Sequence, residues 1–168
     1  MSITHHDVTI LPLAQLERHP HHRPLGVSRE KIDQLKASIE QYGFYDSQPL
    51  VVRSLGTNGT YQIIKGEHRW LAAQELGFTD IPCSIQDMSD DEALIQLVVG
   101  NIQTENHPLE IGLNALQVVQ KDSKQGLSAA AYGEKIGLGR SSISEYVSAA
   151  VVYHYLQVQC STGRTLHL

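Results

Sequence analysis

Apolar residues along the chain change period several times, and each change marks an element. Val8 to Leu11 reads as a short strand, followed by a turn or helical stub from Pro12 to Leu16. Behind Ser28, a side chain suited to capping a helix start, Ile32, Leu35 and Ile39 fall at i, i+3 and i+7, and Gly43 ends the run. The spacing predicts an amphipathic helix there. Pro49 to Arg53 and Thr60 to Ile64 read as strands around Gly56-Thr57-Asn58-Gly59, whose Asn-Gly pair is a strong hairpin signal. Ile81 to Ile85 is a further strand. Ser89-Asp90-Asp91-Glu92 forms a capping box, with Leu94, Leu97, Val98 and Asn101 at i, i+3, i+4 and i+7 behind it.

The sharpest change of period lies between Tyr61 and Gly77, where a strand ends at Ile64 and a helix runs from Glu67 to Leu76 before Gly77 stops it. Gly66, between the two, permits a tight turn and a close approach to the backbone. A helix start of this kind presents unpaired N–H groups and the positive end of a macrodipole, which attract anions and phosphate above all. Lys65, His68 and Arg69 add donors at the same place. Arg69 also heads the inward stripe formed with Ala72, Ala73 and Leu76. On the local pattern a plain strand-turn-helix corner with surface charges remains the alternative. Asn101 is open in the same way: it is either a polar residue on an inward stripe, needing partners, or the C-cap of its helix.

The last third is helical. Pro108 opens a helix carried by Leu109, Leu113, Leu116 and Val119, ending near Gly126. A small-residue helix, Ala129 to Ile136, then meets the turn Gly137-Leu138-Gly139, and a helix beginning at Arg140 places Ile143 and Val147 at i and i+4. Two short helices around a glycine turn form either a DNA-reading pair or an ordinary helical corner. Beyond Tyr155 no pattern continues.

The chain has 168 residues and a net charge of −5, which argues against indiscriminate attraction to nucleic acid while leaving room for a local basic reading head. Residues 1–124 carry 10 Lys+Arg and 16 Asp+Glu, against 3 and 2 in residues 125–168, so the acidity belongs to the front. Cys83 and Cys160 stand far apart without a C-x-x-C, which predicts neither a disulfide framework nor a metal knuckle and suits a reduced, cytoplasmic setting. No membrane span or signal peptide is expected. His5, His6, His19, His21 and His22 tempt toward a metal site, but they lack partnering Asp, Glu or Cys at helical spacing, so structural zinc is not expected.

Gly66-Glu67-His68-Arg69-Trp70-Leu71-Ala72-Ala73 resembles the G-E-R-R-[WYF]-R-A-A box of the ParB N-terminal domain, a family of plasmid and chromosome partition proteins and regulators. The resemblance continues in order along the chain. Pro20 to Pro24 and Ser28 to Gly43 are similar to the N-P-x-x-P-R segment and the first helix; Gln48 to Arg53 to the Q-P-[LI]-x-V-R strand; and Asn101-Ile102-Gln103 with Pro108-Leu109-Glu110 to the E-N-I-Q-R box. Residues 127–144 resemble the helix-turn-helix that follows, with Gly133 in place of the usual alanine where the helices cross.

The resemblance implies an α+β fold, with a small mixed sheet and helices as in ParB and sulfiredoxin, over residues 1–105. A helical DNA-binding module follows at 106–156 and a tail at 157–168. It implies binding of a nucleoside triphosphate, CTP in the first place, by Arg23, Gly66, Glu67, His68, Arg69, Asn101 and Gln103, with Asn101 helping to hold Mg²⁺. Arg140, Ser141, Ser142, Ser144 and Glu145 become the groove-facing set. The implied partners are duplex DNA with a pseudo-palindromic site, a second copy in a homodimer and a partition ATPase, with no membrane.

Departures from the family pattern matter equally. His68, Leu71 and Thr104 replace cations, and Gly100 replaces the glutamate that supports cation binding and hydrolysis in relatives. Glycine neither coordinates magnesium nor orients a water. At most slow CTP hydrolysis is expected, with no catalytic residue assigned and no nuclease activity, for want of paired carboxylates with a histidine. Glu67 stands where sulfiredoxin has its cysteine, which removes that chemistry. A small-molecule kinase on the same fold, with Glu67 as base, is the alternative, although a kinase has no need of residues 127–150.

Overall fold

The computed structural model describes residues 7–22, 25–44, 48–56, 59–102, 107–119 and 127–161, with backbone alone at residues 101 and 102. The chain forms two compact units, Met1–Ala93 and Leu94–Leu168.

The first unit is built on a five-stranded mixed sheet of order β1-β5-β3-β4-β2. β1 (Val8–Pro12) pairs antiparallel with β5 (Asp80–Ile85), β5 parallel with β3 (Leu50–Ser54), β3 antiparallel with β4 (Tyr61–Lys65), and β4 parallel with β2 (Leu16–Arg18). The expected hairpin is present between β3 and β4. Its central residues 57 and 58 lie outside the described residues, while Gly56 and Gly59 both take positive φ. β2 is not expected from the pattern, since three residues with one apolar side chain carry no readable alternation; its parallel pairing with β4 makes it a strand.

α1 (Arg29–Tyr42) starts as its sequence dictates, the Ser28 hydroxyl accepting from the Lys31 N–H at 3.3 Å, and α2 (Glu67–Glu75) packs beside it. The inner face of the sheet contributes Leu50, Val52, Ile63, Ile81 and Cys83 to a core completed by Leu11, Leu13, Leu16 and Ala73. Ile32, Ile39 and Ala72 close the seam between the two helices. Each fully buried aliphatic side chain contributes ~1.5–3 kcal/mol of transfer free energy, so the seam favours the packing of α2 against α1.

α3 (Asp90–Ile102) opens with the reciprocal box that its sequence predicts. The Ser89 N–H donates to Glu92 Oε2 at 2.8 Å and the Glu92 N–H to Ser89 Oγ at 3.3 Å. The second unit gathers Leu94, Leu97 and Val98 with Ile111, Ala115 and Val118 of α4 (Pro108–Val119), Tyr132 and Ile136 of α5 (Ala129–Ile136) and Ile143 of α6 (Arg140–Ser161). Ser128 caps α5 through the Ala131 N–H at 3.2 Å, and Gly137 ends it in the left-handed region at φ 76°. The expected end of α4 near Gly126 falls outside the described residues.

Two glycines set the helix crossings here. A Cβ at Gly133 would sit 2.5 Å from the Leu138 carbonyl oxygen and 3.1 Å from Ile143 Cγ1, so even the alanine of the family pattern requires the turn to shift. At Gly112, a Cβ would strike the Tyr146 carbonyl of α6. α6 runs on to Ser161, well past the last residue that the pattern predicts as helical. Apolar and polar residues are spread all round its distal half, which erases the period without removing helix propensity, and no Gly or Pro interrupts it.

Candidate functional site

The strand-to-helix corner forms because Gly66 adopts φ 99°, a left-handed conformation that costs glycine little. Space demands glycine as well: a Cβ there would run into Leu50 Cδ2 and approach Arg69 Nη2 to 3.0 Å. Gly66, at the N-cap position, supplies no side chain to cap the start of α2.

The predicted site residues at this corner divide into three environments. Glu67 is 2% exposed and belongs to the interior. Its carboxylate receives the Arg18 guanidinium on Oε1 and His22 Nδ1 on Oε2, the latter at 2.7 Å. Burial pushes the Glu67 carboxyl up, but the hydrogen bond from His22 and the charges of His22 and Arg18 outweigh it and hold the group below the usual carboxylate range. His68 is half-buried, and its Nε2 accepts the Ser28 N–H at 3.2 Å, tying the start of α1 to the start of α2. With Lys31, Gln34 and Leu35 it lines an open, mainly apolar groove between the two helices.

Arg69 reaches the chain that enters β3. Its Nη1 donates to the Gln48 carbonyl, and the side chain borders a small cavity with Leu35, Ser38, Ile39, Gly43, Phe44 and Gln48. Burial lowers the pKa of its guanidinium from the ordinary value. Gly66, Glu67, His68 and Arg69 are therefore together at one corner, with the backbone of α2 as their common frame. Arg23 and Gln103 lie outside the described residues, as does the Asn101 side chain.

Sequence reasoning missed a buried polar array beside the corner. Arg53 is 7% exposed, donates to Gln62 Oε1 at 2.9 and 2.7 Å and pairs with Asp90 at 2.7 Å. Burial, reinforced by the Arg53 charge, pushes the His19 imidazole down to about 4. The signal was available only in part: Arg53 puts a charge on the face of Leu50–Ser54 opposite the one that carries Leu50 and Val52 into the core, and that charge is nonetheless buried. Of the histidines between Pro20 and Pro24, His22 meets the Glu67 carboxylate.

In the second unit Arg140, Ser141, Ser144 and Glu145 are exposed and Ser142 is half-buried, while Ile143 faces the core. The predicted groove-facing set thus shares the outward side of the first two turns of α6. No described helix is long and apolar enough to cross a membrane.

A mixed sheet with a glycine-headed helix, together with a helical module that exposes the start of its last helix, defines an α+β protein. The sequence matches the ParB N-terminal domain over residues 1–102. It is 36% identical over 116 residues to the nucleoid occlusion protein of Geobacillus kaustophilus, covering 68% of this chain and 39% of that one. It is 35% identical over 122 residues to the probable chromosome-partitioning protein ParB of Vibrio cholerae, covering 70% and 39%. Among solved structures, the C-terminally truncated ParB from Caulobacter crescentus complexed to the centromeric parS site superposes with a TM-score of 0.57 at 25% identity, covering 94% of this chain and 80% of that one. The same protein complexed with CTP-γ-S gives 0.53 at 26%, covering 94% and 86%. The chain belongs to the ParB N-terminal domain family, and it spans 39% of the length of these curated relatives.

Proposed function

We propose that the chain is a DNA-binding protein of the chromosome-partition or nucleoid-occlusion type whose first unit binds a nucleoside triphosphate, CTP before others, at the Gly66–Arg69 corner. The observation that carries the reading is the start of α2: its entering glycine supplies no capping side chain and has no room for a Cβ, and its one buried carboxylate is already paired with Arg18 and His22. An anion arriving there meets N–H groups and the helix dipole without meeting a bare negative charge. The Caulobacter relative complexed with CTP-γ-S supports CTP as the first nucleotide to test. Gly66, His68 and Arg69 are the described residues proposed to hold the phosphates; Arg23, Asn101 and Gln103 enter through the family resemblance, as does Mg²⁺ at Asn101.

The exposed start of α6 is the proposed DNA reader, with α5 and α6 as the helix-turn-helix. This rests on the outward placement of Arg140, Ser141, Ser142, Ser144 and Glu145 and on the parS complex of the Caulobacter relative. A module with so few cations neutralises few phosphates, so specific binding requires two copies on a pseudo-palindrome. A homodimer and a partition ATPase complete the proposed partners. The kinase alternative gains nothing from the corner. A general base needs access to a hydroxyl and a pKa near the working pH, and the buried, ion-paired Glu67 carboxylate has neither.

Calorimetry with CTP, ATP and GTP, with and without Mg²⁺, tests the nucleotide reading. CTP is expected to bind, and Arg69→Ala to weaken it at least about tenfold, the effect of losing one phosphate contact. Binding indifferent to that substitution, or no affinity for any triphosphate, refutes it.

A further inference from the structure

Glu67 is the residue of the corner whose chemistry fits a phosphate site least, and each of its oxygens stands at ion-pair distance from a partner. Arg18 meets Oε1 and His22 Nδ1 meets Oε2 at 2.7 Å, while Arg18 Nη2 also donates to the His22 carbonyl at 2.7 Å. One guanidinium therefore bridges the carboxylate and the backbone of the residue that supplies the second partner, closing a ring of three contacts. His22 is 3% exposed, as deep as the carboxylate that it holds. The turn that carries it is itself compact: the His22 N–H donates to the His19 carbonyl at 2.9 Å, and the His21 N–H to His19 Nδ1 at 3.1 Å. The ring joins two pieces of chain that are remote in sequence, namely the end of β2 with the His19–His22 turn that follows it, and the first turn of α2. Residue 23 follows this turn directly.

We propose that Glu67 is a positioning residue of the triphosphate site, holding the His19–His22 turn against the start of α2 and touching neither phosphate nor metal itself; this rests on the nucleotide reading above. A buried carboxylate deprived of its partners is costly, so the ring is closed or the turn lets go. With its charge cancelled by Arg18, the carboxylate leaves the field at the α2 N–H groups attractive to an anion. Removing that charge loosens the turn at the start of α2.

The test is calorimetry of CTP binding by the full chain, with and without Mg²⁺, for wild type, Glu67→Gln, His22→Gln and the double variant. Amide exchange is followed on the same proteins without nucleotide. Glu67→Gln keeps the shape and loses the charge; it is expected to weaken CTP about tenfold, equally with and without Mg²⁺, and to speed exchange at the His21 and His22 amides. The double variant is expected to be no weaker than the weaker single one, because both act through one contact. Additive losses, or a loss that appears only with Mg²⁺, overturn the proposal by showing Glu67 on the ligand, as does unchanged or tighter binding. If wild type binds no triphosphate, the nucleotide reading itself fails, and the exchange experiment separately decides whether Glu67 holds the turn: unchanged exchange in Glu67→Gln overturns that too. Should Glu67→Gln not fold, Arg18→Gln, at a half-exposed side chain, carries the same comparison.

Discussion

Gly112 lies where α4 crosses α6 too closely for any side chain, and replacing it by alanine sets two known quantities against each other. The new Cβ would strike the Tyr146 carbonyl oxygen, lie 2.6 Å from the carbonyl carbon and come within 3.1 Å of Ala150 Cβ. Carbon atoms in contact settle at ~3.5–4.0 Å, so α6 must retreat by about 1 Å. The obstacle is helix backbone, which cannot rotate aside as a side-chain tip can. Overpacking of this kind costs ~1–3 kcal/mol, whereas alanine in a helix gains about 1 kcal/mol over glycine. With backbone as the obstacle the cost falls at the upper end, leaving a net loss of about 1–2 kcal/mol. For a unit of this size each kcal/mol moves Tm by ~4–8 °C, so a fall of roughly 5–15 °C is expected. Circular dichroism melts of wild type and Gly112→Ala measure it, with Gln117→Ala on the exposed side of α4 as a control that leaves Tm in place. A Gly112→Ala protein melting at or above wild type would refute the close crossing, because helix propensity alone would then have decided the outcome.

The other expectations concern acid, DNA and turnover. His19 falls from 6.5 to about 4 in the fold, so the unfolded chain takes up a proton first as pH drops; the stability tied to its neutral form is complete above pH 6.5 and lost on the way down to about 4, up to ~3 kcal/mol in all. Urea midpoints between pH 7 and 4 should fall more steeply for wild type than for His19→Asn, and equal slopes would remove His19 from the account. Arg140→Ala should either relax base preference at one position of a selected duplex, at ~1–3 kcal/mol, or weaken all sequences evenly while reducing the salt slope by about one, as filter binding across salt concentrations will distinguish; unchanged affinity would take α6 out of the interface. Gly100→Glu, which restores a carboxylate at an exposed position, should raise CTP hydrolysis measured by phosphate release, and a wild-type rate at or above that of the variant would show that the catalytic group lies elsewhere.

Much of the first unit was legible because its signals are local. Ser28, Gly43 and the Ile32–Ile39 spacing define α1 by themselves, and Ser89 with Glu92 defines the start of α3 from four consecutive residues. The turn at Gly66 was legible for the same reason. What stayed hidden depends on contacts between remote positions. Leu16–Arg18 becomes a strand only by pairing with Tyr61–Ile63, and nothing within three residues announces it. Arg18, His22 and Glu67 form their ring across almost fifty positions, so the histidines could be weighed against metal chemistry but not toward a carboxylate. Arg69 was correctly placed at the head of the stripe with Ala72 and Ala73, yet its turn toward the Gln48 carbonyl is decided by the chain entering β3. The length of α6 was illegible for a different reason, since a helix without an amphipathic face offers no period to read.

Twenty-two residues of uninterrupted helix make α6 a stiff shaft about 33 Å long. Its near end shows Arg140, Ser141, Ser144 and Glu145 to the outside, while Val151, Val152, Tyr155 and Val158 are exposed farther along. Successive residues advance by about 100° around the axis, and a helix transmits twist with little give. Any rotation imposed at the distal apolar residues therefore sets the azimuth at which the serines and the arginine point, from about two turns or more away and without touching them. The far half of α6 is a handle, and the near half turns with it.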